Sequence, residues 1–384
     1  MLEKLKRIDW LIVIILLCFM VISTLLVHSA IANQPKFSDY DQRNLIVYAA
    51  GFVVFFATIF LDYRLLMKVS PVFYGIGLVL LVAVYFLGTD INGAQGWFEL
   101  PGGFSFQPAE LMKLAIIMLL AYLLSKKNGE QLGLIRDAAP YSLVAFIPFA
   151  LVMAQPDLGN AIIYMIILVG MLWIGNLKLK YVLGGIIVFV AFMASFLFLY
   201  QTYHDDIYKY LEQKGNSHWM TRIDTFLNPD EVSSDAIYHV YHSKIAIGTG
   251  GLTGEGYLQG DWVEKGFVPY MYSDSIFAVI GEEFGFIGSS ILLLLYFLLI
   301  YRMIIISLQA SHISGAYMIV GIVSMFVFQV FENVGMLIGL MPLTGITLPF
   351  ISYGGTSLLI NMLSIGLVMS VKVHQEKKSM FLDD

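Results

Sequence analysis

The sequence contains little charge and almost no cysteine. Its 384 residues include one cysteine, Cys18, so no internal disulfide can form and the redox compartment is not indicated. Charged residues make up only 13% of the chain and hydrophobic residues 58%, whereas about a quarter of the residues in a soluble globular protein are charged. A soluble globule is therefore excluded. Because the sequence has no run of basic residues, we expect no nucleic acid partner.

The apolar residues are gathered into runs that are long enough to cross a lipid bilayer. Ten such runs occur, at 10–27, 45–61, 70–88, 108–125, 139–154, 158–175, 181–200, 275–300, 313–340 and 346–371. The first run follows a basic N-terminus but has no small-residue cleavage site after it, so it is interpreted as an uncleaved span. The predicted fold is an all-α polytopic membrane protein with about ten transmembrane helices.

The runs define one integral membrane domain over residues 1–384. Helices 1 to 7 occupy 1–200, a large loop occupies 201–273, helices 8 to 10 occupy 274–371, and a tail occupies 372–384. Fourteen of the 22 basic residues fall on the same side as both termini, and seven fall on the opposite side. The positive-inside rule therefore predicts cytoplasmic termini and a large extracellular loop between helices 7 and 8.

Three carboxylates follow the point where the large loop re-enters an apolar run. Asp274, Glu282 and Glu283 all lie within residues 269–285, at or just inside the predicted membrane boundary. Acidic groups are costly there unless they are solvated or paired, so a functional site is the first hypothesis. The alternative is that Asp274 caps the next helix and that both glutamates face a water-filled crevice. A cap alone would not explain the two glutamates.

A second polar stretch, residues 92–113, precedes and enters the fourth span. Its glycines and prolines preclude a regular helix up to Phe106, and Glu110 and Lys113 then share one helix face at i, i+3. The two charges fit either an ion pair that fastens two helices or a direct role toward substrate. Trp97 fits either a site or an anchor at the membrane interface.

The large loop supplies cations beside aromatic and glycine-rich segments. Arg222 and Lys244 could bind an anion, together with backbone N–H groups of the glycine-rich turn at 248–256, or could pair with the loop's own acids. Asp157, at a helix start, is interpreted as a cap. Residues 341–357, which include Ser352, break the last two spans, and irregular backbone at that depth is typical of a cavity lining or a packed interior.

Five ordered motifs resemble the SEDS family (shape, elongation, division and sporulation), most closely its rod-shape-determining members. They are Gly-Ala-x-x-Trp…Phe-Gln-Pro-x-Glu-Leu-x-Lys (93–113), Gln-Pro-Asp-Leu-Gly (155–159), Ser-Lys-Ile-Ala-Ile-Gly-x-Gly-Gly-Leu-x-Gly-x-Gly (243–256), Asp-x-Ile-Phe-Ala-Val-Ile-Gly-Glu-Glu-x-Gly (274–285) and Leu-Pro-Phe-Ile-Ser-Tyr-Gly-Gly-x-Ser (348–357). The resemblance covers nearly the whole chain. It departs from the family before the eighth span, at Tyr270, Tyr272, Ser273 and Ser275, and at His239 and His242.

The resemblance implies a peptidoglycan glycosyltransferase of the bacterial cell membrane, which polymerises lipid II beside a class B penicillin-binding protein. It implies that Asp274 is the catalytic residue, that Trp97 belongs to a second motif tied to activity, and that Glu110 and Lys113 line the central cavity. Glu282, Glu283 and Ser352 are grouped with these as cavity residues.

The implied reaction needs a base and a counter-charge. Asp274 would accept the proton of an attacking sugar hydroxyl, and Arg222, Lys244, Lys113 or a divalent cation would stabilise the departing pyrophosphate. No cofactor is certain from the sequence; because it has no His or Cys metal motif, any metal would be a weakly held, oxygen-ligated ion such as Mg²⁺ or Mn²⁺. A lipid flippase or transporter, or a scaffold without catalysis, remains as the alternative.

Overall fold

Helices make up most of the chain because its long apolar runs satisfy their backbone internally. The computed structural model describes residues 5–91, 94–101, 104–213, 224 and 234–375. The described helices are α1 (Trp10–Ile31), α2 (Tyr40–Phe60), α3 (Tyr63–Lys68), α4 (Ser70–Leu87), α5 (Pro108–Ser125), α6 (Ala139–Met153), α7 (Leu158–Ile174), α8 (Leu179–Thr202), α9 (His204–Gln213), α10 (Ser234–Thr249), α11 (Asp261–Glu264), α12 (Ile276–Leu308), α13 (Ile313–Leu337) and α14 (Gly355–Val373).

The membrane-crossing prediction is confirmed, with one helix at the lower limit of length. Within the described residues, nine helical segments are long and apolar enough to span a membrane, and the sixth predicted span is the apolar helix α7 of 17 residues. The start of the last span was predicted wrongly. It begins at Gly355 and not at residue 346, because Pro349 and the turns before it keep residues 338–354 out of a helix.

Helices α5 and α14 form the centre of the bundle. In both, 78% of the most apolar window is buried inside the protein, so their polar residues contact other helices and not lipid. Helix α14 packs most extensively on α2, while α5 packs on α4, α7 and α13. The Tyr164 hydroxyl donates to the Ala109 carbonyl at 2.9 Å and joins α7 to the first turn of α5. Helix α8 lies apart, since Tyr200 is the one buried residue in it.

A small antiparallel sheet adds to the predicted all-α fold. Strands β1 (Thr89–Ile91), β2 (Ala94–Leu100) and β3 (Phe104–Phe106) pair in the order β1-β2-β3, with Phe98 opposite Phe106. The sequence predicts correctly that this stretch is not helical. The sheet ends where Pro108 starts α5, and it therefore covers the N-terminal end of that helix.

Helix α12 is broken near one end. Gly285 has φ 62° and ψ −158°, which leaves the carbonyls of Glu282 and Glu283 and two N–H groups after the glycine outside the helical pattern. A loop, residues 251–256, takes up these groups. Glu255 and Gly256 donate to the two carbonyls at 2.9 and 3.0 Å, and the N–H groups of residues 286 and 287 donate back to the loop at 2.9 and 3.0 Å.

The predicted large loop, 201–273, contains helices of its own. Helix α9 follows α8 almost directly, α10 packs along α12, and the short α11 lies between α10 and the start of α12. Arg222 lies outside the described residues. Within the described part of the loop, α10 and α11 pack on the helix bundle, whereas the contacts of α9 are with α8.

Candidate active site

A cavity of about 510 Å³ lies where the sheet, α5, α7 and the segment before α12 meet. This volume is within the range of small-molecule sites. The residues that line it include Tyr40, Trp97, Phe104, Gln107, Glu110, Lys113, Asp157, Asn160, His239, Tyr270, Tyr272, Asp274, Thr344, Gly345, Tyr353 and Thr356. Four predicted site residues are thus brought together: Trp97, Glu110, Lys113 and Asp274.

Asp274 lies on a segment whose backbone is held firmly. The Asn333 side chain donates to the carbonyls of Asp274 and Ile346, each at 2.7 Å, and so joins α13 to both cavity-lining segments. A Cβ atom added to Gly345 would lie 3.6 Å from the Asp274 Oδ2 atom, so the carboxylate is next to that turn. The N-cap of α12 is Ser275, and helix capping therefore does not account for Asp274.

Glu110 and Lys113 form the ion pair that their spacing predicts. The Lys113 Nζ atom donates to the Glu110 Oε1 atom at 2.7 Å, and the two residues are 1% and 6% exposed. The Glu110 Oε2 atom is buried without a hydrogen-bond partner. Both residues lie on α5, so the pair does not fasten two helices, and its spare hydrogen-bonding capacity on the cavity wall can serve a polar ligand.

Trp97 and Asp157 both line the cavity. Trp97 lies on β2, and its place in the cavity lining agrees with its interpretation as a site residue. Asp157 caps α7 as predicted, because its carboxylate accepts from the Asn160 N–H at 3.0 Å. It also accepts from the Gln107 side chain at 2.9 Å, which links the cap to the residue before α5.

Glu282 and Glu283 do not face the cavity or a water-filled crevice, and this prediction was wrong. They are 0% and 1% exposed. Glu282 accepts from the N–H groups of Trp262 and Val263 at 2.7 and 3.0 Å, at the start of α11. Glu283 accepts from the Ser29 hydroxyl and from the Leu258 N–H at 3.2 Å. Both carboxylates therefore hold the loop before α12 in place.

The glycine-rich turn does not offer its N–H groups to an anion, which corrects a second prediction. The N–H groups of Gly254, Glu255 and Gly256 all donate to backbone carbonyls within the protein. A Cβ atom on Gly250 would clash with the Gly281 carbonyl oxygen, and one on Gly254 with the Glu283 carbonyl oxygen. These glycines are required because two backbones approach closely at this point.

Lys244 and Ser352 are also outside the cavity. Lys244 is exposed, and its ammonium group lies beside Gly339, at the end of α13, because α10 directs this residue away from the cavity. The Ser352 hydroxyl donates to the Ser273 carbonyl at 2.6 Å and accepts from the Leu348 N–H at 2.8 Å. Ser352 therefore fixes the backbone beside Asp274 and does not line the site.

Two buried polar residues near Asp274 were not predicted as site residues. His239 lines the cavity, and its Nε2 atom is 2.6 Å from the Ser275 hydroxyl; burial lowers the pKa of His239 to about 4, so the ring is neutral at neutral pH. Glu332, on α13, is fully buried and accepts from the hydroxyl of Thr344, a cavity residue. A carboxylate inside an apolar run was the available signal for Glu332.

The cavity does not contain a ready-made metal site. Among the residues that the structure describes, no group of three or more His, Cys, Asp or Glu side chains converges. Of the three acids that line the cavity, Glu110 pairs with Lys113 and Asp157 caps α7, while Asp274 lies on the segment before α12. The three carboxylates therefore do not form a cluster that would hold a divalent ion by themselves.

Comparison with known proteins gives matches over nearly the whole chain. The sequence model of the family described as "Cell cycle protein", which covers FtsW, RodA and SpoVE, matches residues 4–377. The chain is 34% identical over 374 residues to the peptidoglycan glycosyltransferase MrdB of Escherichia coli (strain K12), covering 95% of this chain and 94% of that protein.

Solved structures show the same architecture. One, from a study of polymerization and crosslinking by a peptidoglycan synthase complex, is 28% identical with a TM-score of 0.78 and covers 96% of this chain and 99% of that chain. The rod shape determining protein RodA of Thermus thermophilus is 26% identical with a TM-score of 0.69, covering 96% of this chain and 98% of that chain. The fold around the cavity is therefore shared.

Proposed function

The chain belongs to the FtsW, RodA and SpoVE family and is a peptidoglycan glycosyltransferase, and on this premise we propose that it polymerises lipid II with Asp274 as the general base. One observation carries the proposal. Asp274 lies on the wall of a 510 Å³ cavity that also contains the buried Glu110–Lys113 pair. A carboxylate on a cavity wall can accept a proton from a bound hydroxyl, while a cation in the same cavity favours a departing anion.

The proposed reaction joins two sugars. The 4-hydroxyl oxygen of one lipid II sugar forms a bond to the anomeric carbon of a second glycan, and the bond from that carbon to the pyrophosphate oxygen breaks. Asp274 accepts the hydroxyl proton as the bond forms. The electron pair of the broken bond leaves with undecaprenyl pyrophosphate, and the reaction needs no oxidant or reductant.

Lys113 is the cation that we assign to the departing pyrophosphate. It lines the cavity, whereas Lys244 does not and Arg222 lies outside the described residues. The Lys113 ammonium has three N–H donors and gives one to Glu110, so the others can bind the pyrophosphate as negative charge develops there. A weakly held, oxygen-ligated divalent ion such as Mg²⁺ or Mn²⁺ stays a prediction from the sequence.

The placement of the chain in its cell is part of the proposal. Both termini are assigned to the cytoplasmic side because basic residues are concentrated there, which puts Asp274 at the outer face of the membrane. We assign a class B penicillin-binding protein as partner, in support of cell elongation and shape. A solved relative comes from a peptidoglycan synthase complex that coordinates polymerization and crosslinking, which supports this assignment.

Purified protein incubated with lipid II, with and without the partner, tests the proposal. We expect glycan strands from the wild type and none from the Asp274→Asn variant. Transbilayer movement of lipid II without any polymer would instead indicate a flippase. If polymer is lost only when the partner is omitted, the proposed reaction stands and the activity depends on the complex.

A further inference from the structure

Three tyrosine rings form one continuous wall of the cavity. Tyr40, at the start of α2, stacks on Tyr353 with a ring-centroid distance of 4.3 Å and an interplanar angle of 15°. Tyr272 meets Tyr40 edge-on at 5.2 Å and 87°, and it lies 6.3 Å from Tyr353. All three line the cavity and are only partly buried, so part of each side chain is accessible there.

The wall is fixed to the segment that carries Asp274. The Tyr353 N–H donates to the Tyr272 carbonyl at 2.9 Å, and the Ser352 hydroxyl donates to the next carbonyl, of Ser273, at 2.6 Å. Tyr272 is two residues before Asp274, so the two Cα atoms are at most about 7 Å apart. A single sugar residue can therefore touch the wall and reach the carboxylate.

The chemistry of the wall favours one part of a lipid-linked glycan. Aromatic faces carry partial negative charge and attract the C–H groups on the flat face of a pyranose ring, while the phenol groups bond the hydroxyls at its edge. The same faces repel a pyrophosphate. Burial raises the pKa of Tyr272 to about 12, so its hydroxyl stays a neutral donor at neutral pH.

We propose that Tyr40, Tyr272 and Tyr353 form a saccharide platform that binds a pyranose ring of the substrate next to Asp274. The inference rests on the proposed function, because it takes the substrate to be a glycan. Tyr272 is one of the positions where the sequence departs from the SEDS pattern.

Ring removal is the kinetic test. Tyr272→Leu and Tyr353→Leu should each raise the lipid II concentration for half-maximal polymerisation roughly tenfold, as expected for one lost aromatic contact. Tyr272→Phe and Tyr353→Phe keep the ring and lose only the phenol hydroxyl, so they should raise this concentration less than the leucine variants do. Tyr301→Leu, at an exposed tyrosine far along α12, is the matched control and should change nothing. An unchanged half-maximal concentration in folded leucine variants overturns the platform.

A binding measurement on the wild type does not depend on how the variants fold. The disaccharide of lipid II, without pyrophosphate and lipid, is added to the purified protein, and saturation transfer to its ring protons is recorded by NMR. We expect transfer with the wild type and with Asp274→Asn, and loss of transfer in the Tyr272→Leu, Tyr353→Leu double variant. Absence of transfer with the wild type overturns the platform. A wild type that makes no polymer but binds the disaccharide overturns the proposed function and leaves the platform in place.

Discussion

Asp274 and the pair Glu282–Glu283 lie within ten residues of each other, yet the protein uses the carboxylates in opposite ways. Asp274 comes before the first turn of α12 and lines the cavity. Glu282 and Glu283 lie about two turns into α12, where they are fully buried and accept hydrogen bonds from the preceding loop. The same side-chain chemistry is open to a ligand in one case and used in packing in the other.

The difference comes from the backbone around each group. The break at Gly285 draws the loop against α12, so Glu282 and Glu283 meet N–H groups that would otherwise be unpaired. Asp274 precedes the helix, and its neighbours hold it by its carbonyl through Asn333. A carboxylate at a membrane boundary is therefore a functional candidate only after the backbone donors around it have been counted.

The largest expected effect is on catalysis at Asp274. Asp274→Asn keeps the shape of the side chain but removes its basicity, so polymerisation of lipid II should fall by about 100-fold or more. Thermal unfolding in detergent should be unchanged, because the amide keeps the shape of the side chain and Asn333 still bonds the backbone carbonyl at this position. Near-normal glycan synthesis by this variant would show that Asp274 is not the base. The functional difference between Asp274 and Glu282 would then be unsupported.

The Glu110–Lys113 pair should show the next largest effect, on stability. Lys113→Met leaves a buried carboxylate without its cation, at a cost of about 3–5 kcal/mol in the free energy of unfolding. A charge-swapped double variant should recover part of the loss. The Asp261–Lys265 pair is also an acid–lysine pair within one stretch of chain, but it is exposed to water, at i, i+4 and 3.0 Å, and Lys265→Met is the control that should change little. A double variant no better than the sum of the singles would show that the two residues act separately.

Glu282→Gln tests whether the Glu282 carboxylate stabilises the fold and takes no part in catalysis. A glutamine can accept from only one of the Trp262 and Val263 N–H groups, since its NH₂ group would face the other donor. We expect about 1–3 kcal/mol of lost stability, measured by thermal unfolding, and little change in polymerisation per folded molecule. An unchanged melting temperature with loss of polymer would place Glu282 in the chemistry instead.

The smallest expected effect concerns pH and His239. Burial lowers the pKa of His239 to about 4, from 6.5 in the unfolded chain, so only the unfolded chain takes up this proton as pH falls below 6.5. Stability should fall by about 1 kcal/mol at pH 5.5 and fall further toward pH 4. His239→Gln should lose this part of the acid sensitivity. Equal slopes of melting temperature against pH in the two proteins would contradict the assignment.

The sequence predicts the membrane fold well because run length and hydrophobicity decide which segments become helices. It also predicts Glu110 with Lys113, since both lie on one helix within four residues of each other. It fails for Glu282, Glu283 and Lys244 because their roles depend on which backbone or helix end lies opposite, and that is set by long-range packing. The glycines in 248–256 fitted two interpretations. A turn that binds an anion and a turn that packs closely against another backbone both require glycine.

The broken helix also bears on how the chain is made. Translation proceeds from the amino end, so residues 250–256 leave the ribosome before Gly285 does. The four backbone groups that the break leaves outside the helix therefore meet partners that have already been synthesised. Without partners, each of these groups would cost several kcal/mol in the lipid interior. The segment order thus makes the partners of a discontinuous helix before the helix itself.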